Sequence, residues 1–221
     1  MLYDACQVLK DLFSDKDSAI GEESGVWTKA FGEAVVLTFL ASALWLFLAS
    51  LLFFAGSVPG WHVVQSAILV FLTPLYTGVV LGFTAMFVHI GPLLFGSEGF
   101  ARTLSAVSYG YIISIGYGVF LSFVKAVVAV FDPSIISIGL EPSTMTTFSP
   151  TAIVYLVVAF VTSIVSLVHS VVVTVHALSS YHDLTTGKAL VSAVLVPVAS
   201  LLVVGLIFVF FAVLIGLLVG I

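Results

Sequence analysis

Apolar positions fall in five long blocks, and the polar positions between them are turn formers. The blocks run over residues 33–56, 65–90, 103–131, 150–176 and 189–220. Each reaches the roughly 20 apolar residues needed to cross a hydrocarbon core. The pattern predicts an all-α, polytopic membrane protein, a bundle of five transmembrane helices. The gaps carry Pro59-Gly60, Gly91-Pro92, Gly96-Ser97-Glu98-Gly99, Asp132-Pro133, Ser149-Pro150 and Thr185-Thr186-Gly187, each an expected helix boundary. At Ser149-Pro150 the hydroxyl can cap free amides while proline tolerates the first helical position. The last block is long enough to tilt, or to kink at Pro197.

Residues 1–32 precede this membrane domain and follow a different pattern. Leu2, Cys6, Leu9, Leu12 and Phe13 recur at helical spacing among charged residues, which predicts a short amphipathic interfacial helix. The segment has no continuous apolar run of the kind a cleaved signal peptide needs.

Inside the blocks, small residues are spaced by four. Ala106, Gly110, Ser114, Gly118, Ser122 and Ala126 form one row, and small residues let helix backbones approach closely in lipid. Such a row drifts by about 40° per step around a helix of 3.6 residues per turn, so it is expected to meet at least two other spans. Pro74, Gly78 and Gly82 form a second row, with Thr73, Thr77 and Thr84 beside it to satisfy backbone groups freed by the proline.

Composition and charge add orientation. The 221 residues are 61% apolar and 8% charged, outside the range of soluble domains. Lys10, Lys16 and Lys29 precede the first span, Arg102 lies between the second and third, and Lys188 between the fourth and fifth. Basic residues stay on the cytoplasmic side, which predicts a cytoplasmic N-terminus and a C-terminus outside. Trp27 and Trp61 then fall at headgroup level. The formal charge of −5 comes largely from the N-terminal segment and favours neither nucleic acid nor anionic lipid at that surface. Cys6, the single cysteine, forms no internal disulfide.

Ionisable groups within the spans are costly, at least ~2.5 kcal/mol near the bilayer centre, and therefore informative. Glu33, His89 and His176 lie near the cytoplasmic boundary and read as interfacial anchors. Lys125 sits about six residues inside the outer end of its span, placed to snorkel or to pair with Asp132 or Glu141. His169 is deeper, with Thr162, Ser166, Ser170 and His176 on its general face. An imidazole there can relay a proton or bind a metal, but His169 and His176 are about 10 Å apart by rise alone, too far to chelate one ion together. A histidine bonded to a neighbouring helix is the expectation. No phosphate-binding, zinc-protease, nucleophile-elbow or CxxC pattern occurs, so neither an enzyme nor a cofactor is expected.

Two segments resemble a known family. Phe95-Gly96-Ser97-Glu98-Gly99-Phe100, followed by Arg102-Thr103-Leu104-Ser105-Ala106-Val107-Ser108-Tyr109-Gly110-Tyr111, resembles the start of the third span in the Yip family of Rab-interacting membrane-trafficking proteins. His182-Asp183-Leu184-Thr185-Thr186-Gly187-Lys188-Ala189-Leu190, with Pro197 after it, resembles the loop and fifth-span start of the prokaryotic branch. Five spans behind an acidic tail match as well. The Asp-Leu-Tyr-Gly-Pro motif of eukaryotic members is missing, where only Leu2-Tyr3-Asp4 stands, and so is the proline after the third-span tyrosine. Rab binding is therefore not carried over. The resemblance implies a multi-pass protein of a prokaryotic cell membrane whose biochemical role is undefined. The surplus of packing features over chemical ones points to a non-enzymatic protein that organises the bilayer, a membrane-protein partner or a second copy of itself. The alternative is a small channel or transporter lined by His169, Ser166, Thr162 and the second-span threonines.

Overall fold

The computed structural model describes the backbone of residues 27–137 and 149–219, and side chains within 29–135 and 149–209. The expected interfacial helix of the N-terminal segment, Cys6 and the Ser/Thr-rich part of the loop after the third span lie outside the described residues. Five helices are long and apolar enough to cross a membrane. They are α1 (Trp27–Phe54), α2 (Gly60–Leu94), α3 (Phe100–Phe131), α4 (Pro150–His182), and a last span built from α5 (Thr186–Leu190), a π-helical turn (Val191–Leu195) and α6 (Val196–Val219).

The helices extend beyond the apolar blocks, and the reasons are local. α1 begins at Trp27, so Glu33 lies well inside it and is 1% exposed, not at an open interface as expected. α2 continues through Gly91-Pro92 to Leu94, because a proline three residues from the end leaves one last turn to close. α4 runs six residues past His176 to His182. Ser179, Ser180 and Tyr181 are helix-compatible, and the helix stops only where Asp183 turns left-handed at φ 51°. The π turn precedes Pro197, whose ring crowds the carbonyl four residues back and lacks an N–H. A widened turn absorbs that mismatch where a simple kink was expected.

The caps follow turn chemistry. Ser149 accepts a hydrogen bond from the Ala152 amide at 3.0 Å, with Pro150 at the first helical position. The same Ser149 hydroxyl donates to the Asp132 carboxylate, which also accepts from the Ser134 hydroxyl at 2.6 Å and the Ser134 amide at 3.2 Å. This corner joins the end of α3 to the start of α4. The Ser134 hydroxyl, then that of Ser149, holds the Asp132 carboxyl below its usual 3.8. A depressed folded value means the corner is favoured above the ordinary carboxylate range and loosens as pH falls through the folded value. Asp132→Ala should therefore speed proteolysis of the α3–α4 corner at pH 7, and the difference from the parent protein should shrink as pH falls through the lowered folded value.

α3 is the central helix. Thr103 to Gly110 are buried without interruption, and eight consecutive residues cover every face of a helix. They pack against Ala30 and Ala34 of α1, Leu81, Ala85 and Val88 of α2, and Ala177, Leu178 and Tyr181 of α4. A smaller cluster at the opposite end holds Ala126 and Ala129 against Leu52 and Val58. Hydroxyls inside the spans donate to carbonyls one turn back: Thr38 to Ala34, Ser108 to Leu104 and Ser192 to Lys188, at 2.7–2.9 Å. That removes the cost of an unpaired donor in lipid.

The small-residue row on α3 does reach two spans. A Cβ on Gly110 would overlap the Thr174 hydroxyl and lie 2.9 Å from the Ser170 carbonyl oxygen of α4. Ala126 packs near Leu52 of α1. Gly78 contacts Phe31 of α1 through one ring atom, 3.5 Å from a built Cβ, whereas Gly82 and Gly118 face open space. Gly110→Ala should accordingly lower stability in a denaturing-detergent titration, while Gly118→Ala, which meets nothing, should keep or raise it by up to about 1 kcal/mol.

Candidate functional site: a hydrogen-bonded knot between two loops

Among the described residues, the densest polar arrangement lies where α2 meets α3 and α4 meets α5. Helices of 32–35 residues exceed the roughly 20 that a hydrocarbon core requires, so their terminal turns stand at headgroup depth. Three such turns converge here with the short α5 that opens the last span.

Thr103 is the hub and is fully buried. Its hydroxyl lies 2.8 Å from His89 Nδ1 and 2.9 Å from His182 Nε2, while His182 Nδ1 lies 2.8 Å from the Ser97 hydroxyl. A hydroxyl carries one proton, so with both imidazoles neutral the chain is directional. If Thr103 donates to His182 Nε2, then His89 donates to Thr103 and His182 donates to Ser97; if Thr103 donates to His89 Nδ1, every bond is reversed. The His89 ring meets Phe100 edge-on at 5.5 Å and lies 6.2 Å from the His182 ring.

Charged groups frame the knot. Arg102 donates from Nη1 to the Tyr181 carbonyl at 3.1 Å, which supplies an acceptor from the last turn of α4. The Lys188 ammonium sits 5.4 Å from the centroid of Phe95, a cation–π contact from α5 to the end of α2. Ser179 donates to the Leu184 carbonyl at 2.6 Å and so ties the α4–α5 turn to α4. Gly96 and Gly99, at φ 79° and 107°, give the α2–α3 loop the left-handed turns that bring Ser97 over His182.

Beneath the knot, α2 and the last span cross closely. A Cβ on Gly91 would overlap the Cα, Cβ and Oγ of Ser192, which is in the π turn.

The other polar residues singled out from sequence are dispersed. His169 Nδ1 lies 3.3 Å from the Tyr117 hydroxyl of α3, and Ser170 pairs with Ser114 at 2.8 Å. Thr162 and Ser166 are half-buried along α4, and His176 is exposed. His89 alone of the set belongs to the knot. Lys125 does not pair with Asp132, the expected carboxylate that is described. Its ammonium is 5.9 Å from the Trp45 ring centroid, and Asp132 is engaged by Ser134 and Ser149; Glu141 lies outside the described residues. Thr73 donates to its own Leu69 carbonyl at 2.6 Å, not to the group freed by Pro74, and the buried Thr77 hydroxyl has no hydrogen-bond partner among the described residues.

Sequence reasoning missed Thr103, His182, Ser97 and Arg102 as members of one cluster. The available signal was that His89, Thr103 and His182 all stand within a few residues of a span end on the same side of the bilayer. Among the described residues, no group of three or more His, Cys, Asp or Glu side chains could hold a metal ion. No family model, curated protein or solved structure matches the chain.

Proposed function

We propose that this chain is a non-enzymatic five-span membrane protein of the Yip type, which organises membrane or protein partners from the knotted end of its bundle. The observation that carries the reading is spatial. The two segments on which the resemblance rests, around residues 95–111 and 182–190, are about 80 positions apart and hydrogen-bond to one another through Ser97, Thr103 and His182. Segments joined in this way form one surface, and the basic residues Arg102 and Lys188 favour the cytoplasm for it. The N-terminus is then cytoplasmic, and the C-terminus lies outside a prokaryotic cell membrane.

Photoreactive residues placed at Glu98 and Thr186, both exposed on this surface, test the reading in intact membranes. The expected outcome is one common adduct, a partner or a second copy, captured from both positions. Adducts from neither position, in membranes where the protein is folded, would overturn it.

A channel or transporter is the second reading, and one observation favours it. Two cavities of about 350 and 200 Å³ share Tyr111 and Ser114 in their walls, one between α1, α2 and α3, the other between α2, α3, α4 and the π turn. His169, Ser166 and Thr162 line neither; Thr73 and Thr84 line one each. Solute flux in liposomes that disappears with Ser114→Phe supports this reading, and absence of flux removes it.

A further inference from the structure

The larger cavity is an intramembrane cleft, and just beyond its wall stands a partly buried cation, Lys125, with no carboxylate partner among the described residues. The cleft lies between α1, α2 and α3, is lined by Ala41, Ser42, Trp45, Thr73, Gly118 and Ser122 among others, and has a volume of about 350 Å³. Gly118 is exposed and a Cβ there would meet nothing within 4 Å, so the cleft opens sideways toward lipid. Its hydroxyls are largely spent. Ser42 donates to the Thr38 carbonyl at 2.9 Å and Thr73 to the Leu69 carbonyl at 2.6 Å. With those protons turned into the helices, these walls suit hydrocarbon better than water or a sugar.

Lys125 stands seven residues beyond Gly118, two turns along the same helix face. Its ammonium lies against the ring of Trp45, whose side chain also lines the cleft. At the start of α2 the His62 ring stacks on Trp61 at 3.7 Å. Lys125 is half-buried, and the carboxylate nearest in sequence, Asp132, is held by serines. No other lysine or arginine lies between Arg102 and Lys188. A cation at this depth is costly unless an anion joins it. Lipid supplies such an anion at the end of an acyl chain.

We infer that this cleft is a binding site for an anionic glycerophospholipid, its phosphate on the Lys125 ammonium and one acyl chain in the groove beside Trp45 and Gly118. The site does not rest on the partner-organising role of the opposite end. Charge complementarity identifies the occupant, since a zwitterionic lipid brings its own cation to the phosphate.

Quenching of Trp45 fluorescence by brominated acyl chains tests it. The full chain, carrying Trp27→Phe and Trp61→Phe, is reconstituted in mixtures containing either brominated phosphatidylglycerol or brominated phosphatidylcholine. The expected result is an apparent affinity about fivefold higher for phosphatidylglycerol. The preference is lost in Lys125→Met and kept in Lys125→Arg. In Gly118→Leu, quenching by both lipids falls, because the groove is filled, and free inorganic phosphate does not compete. Equal quenching by the two lipids in the parent protein, a preference that survives Lys125→Met, or displacement by inorganic phosphate alone would overturn the inference.

Discussion

Gly91→Ala is expected to destabilise the bundle, although alanine is the better helix former by about 1 kcal/mol. The new Cβ would occupy the space of the Ser192 Cα, Cβ and Oγ. Main-chain atoms cannot rotate away, and Ser192 is fixed by its own bond to the Lys188 carbonyl at 2.9 Å. The last span would have to move off α2, and overpacking of this kind costs about 1–3 kcal/mol. The overlap is with backbone, so its cost should exceed the propensity gain. A denaturing-detergent titration should show a net loss of stability, partly recovered by Ser192→Gly in the same chain. Unchanged or raised stability of Gly91→Ala would mean that α2 and the last span do not cross this closely.

Thr103→Val should have the second large effect, for a different reason. The substitution keeps the volume and removes one hydroxyl that serves both His89 Nδ1 and His182 Nε2. Each buried group left without a partner costs about 1–3 kcal/mol, and His182 is itself 4% exposed. A loss of about 2–4 kcal/mol is expected, with Thr103→Ser close to the parent. Ser97→Ala should cost less, because Ser97 is only half-buried and water can replace it. Ser97→Ala and Thr103→Val share His182, so their effects should not add. A Thr103→Val protein as stable as the parent would mean that the hub does not hold the two loops.

Span number and the Ser149 cap were legible in the sequence because each rests on local chemistry. Twenty apolar residues force a helix through lipid, and Ser-Pro caps one wherever it stands. The row of small residues was legible as a packing face, yet not which members are used. Gly110 touches α4 because Ser170 and Thr174 stand opposite, while Gly118 faces a cleft; that distinction depends on helices distant in the chain. Helix ends were misjudged where polar residues remain helical, as at Ser179 to His182. The knot escaped for the same reason. His182 looked like part of a loop, so its ring was not considered beside His89 and Thr103. Lys125 shows the opposite limit: its sequence neighbour Asp132 suggested a pair, but Ser134 and Ser149 compete for that carboxylate over shorter paths.

The α2–α3 and α4–α5 loops are expected to behave as one unit tied through Thr103 and His182. Amide hydrogen exchange on the full chain in lipid nanodiscs measures this directly, since local opening is read segment by segment. Segments 95–103 and 182–188 should be protected together in the parent protein. Thr103→Val should then accelerate exchange in both while α1 is unchanged. Acceleration confined to residues 95–103, with 182–188 still protected, would contradict it.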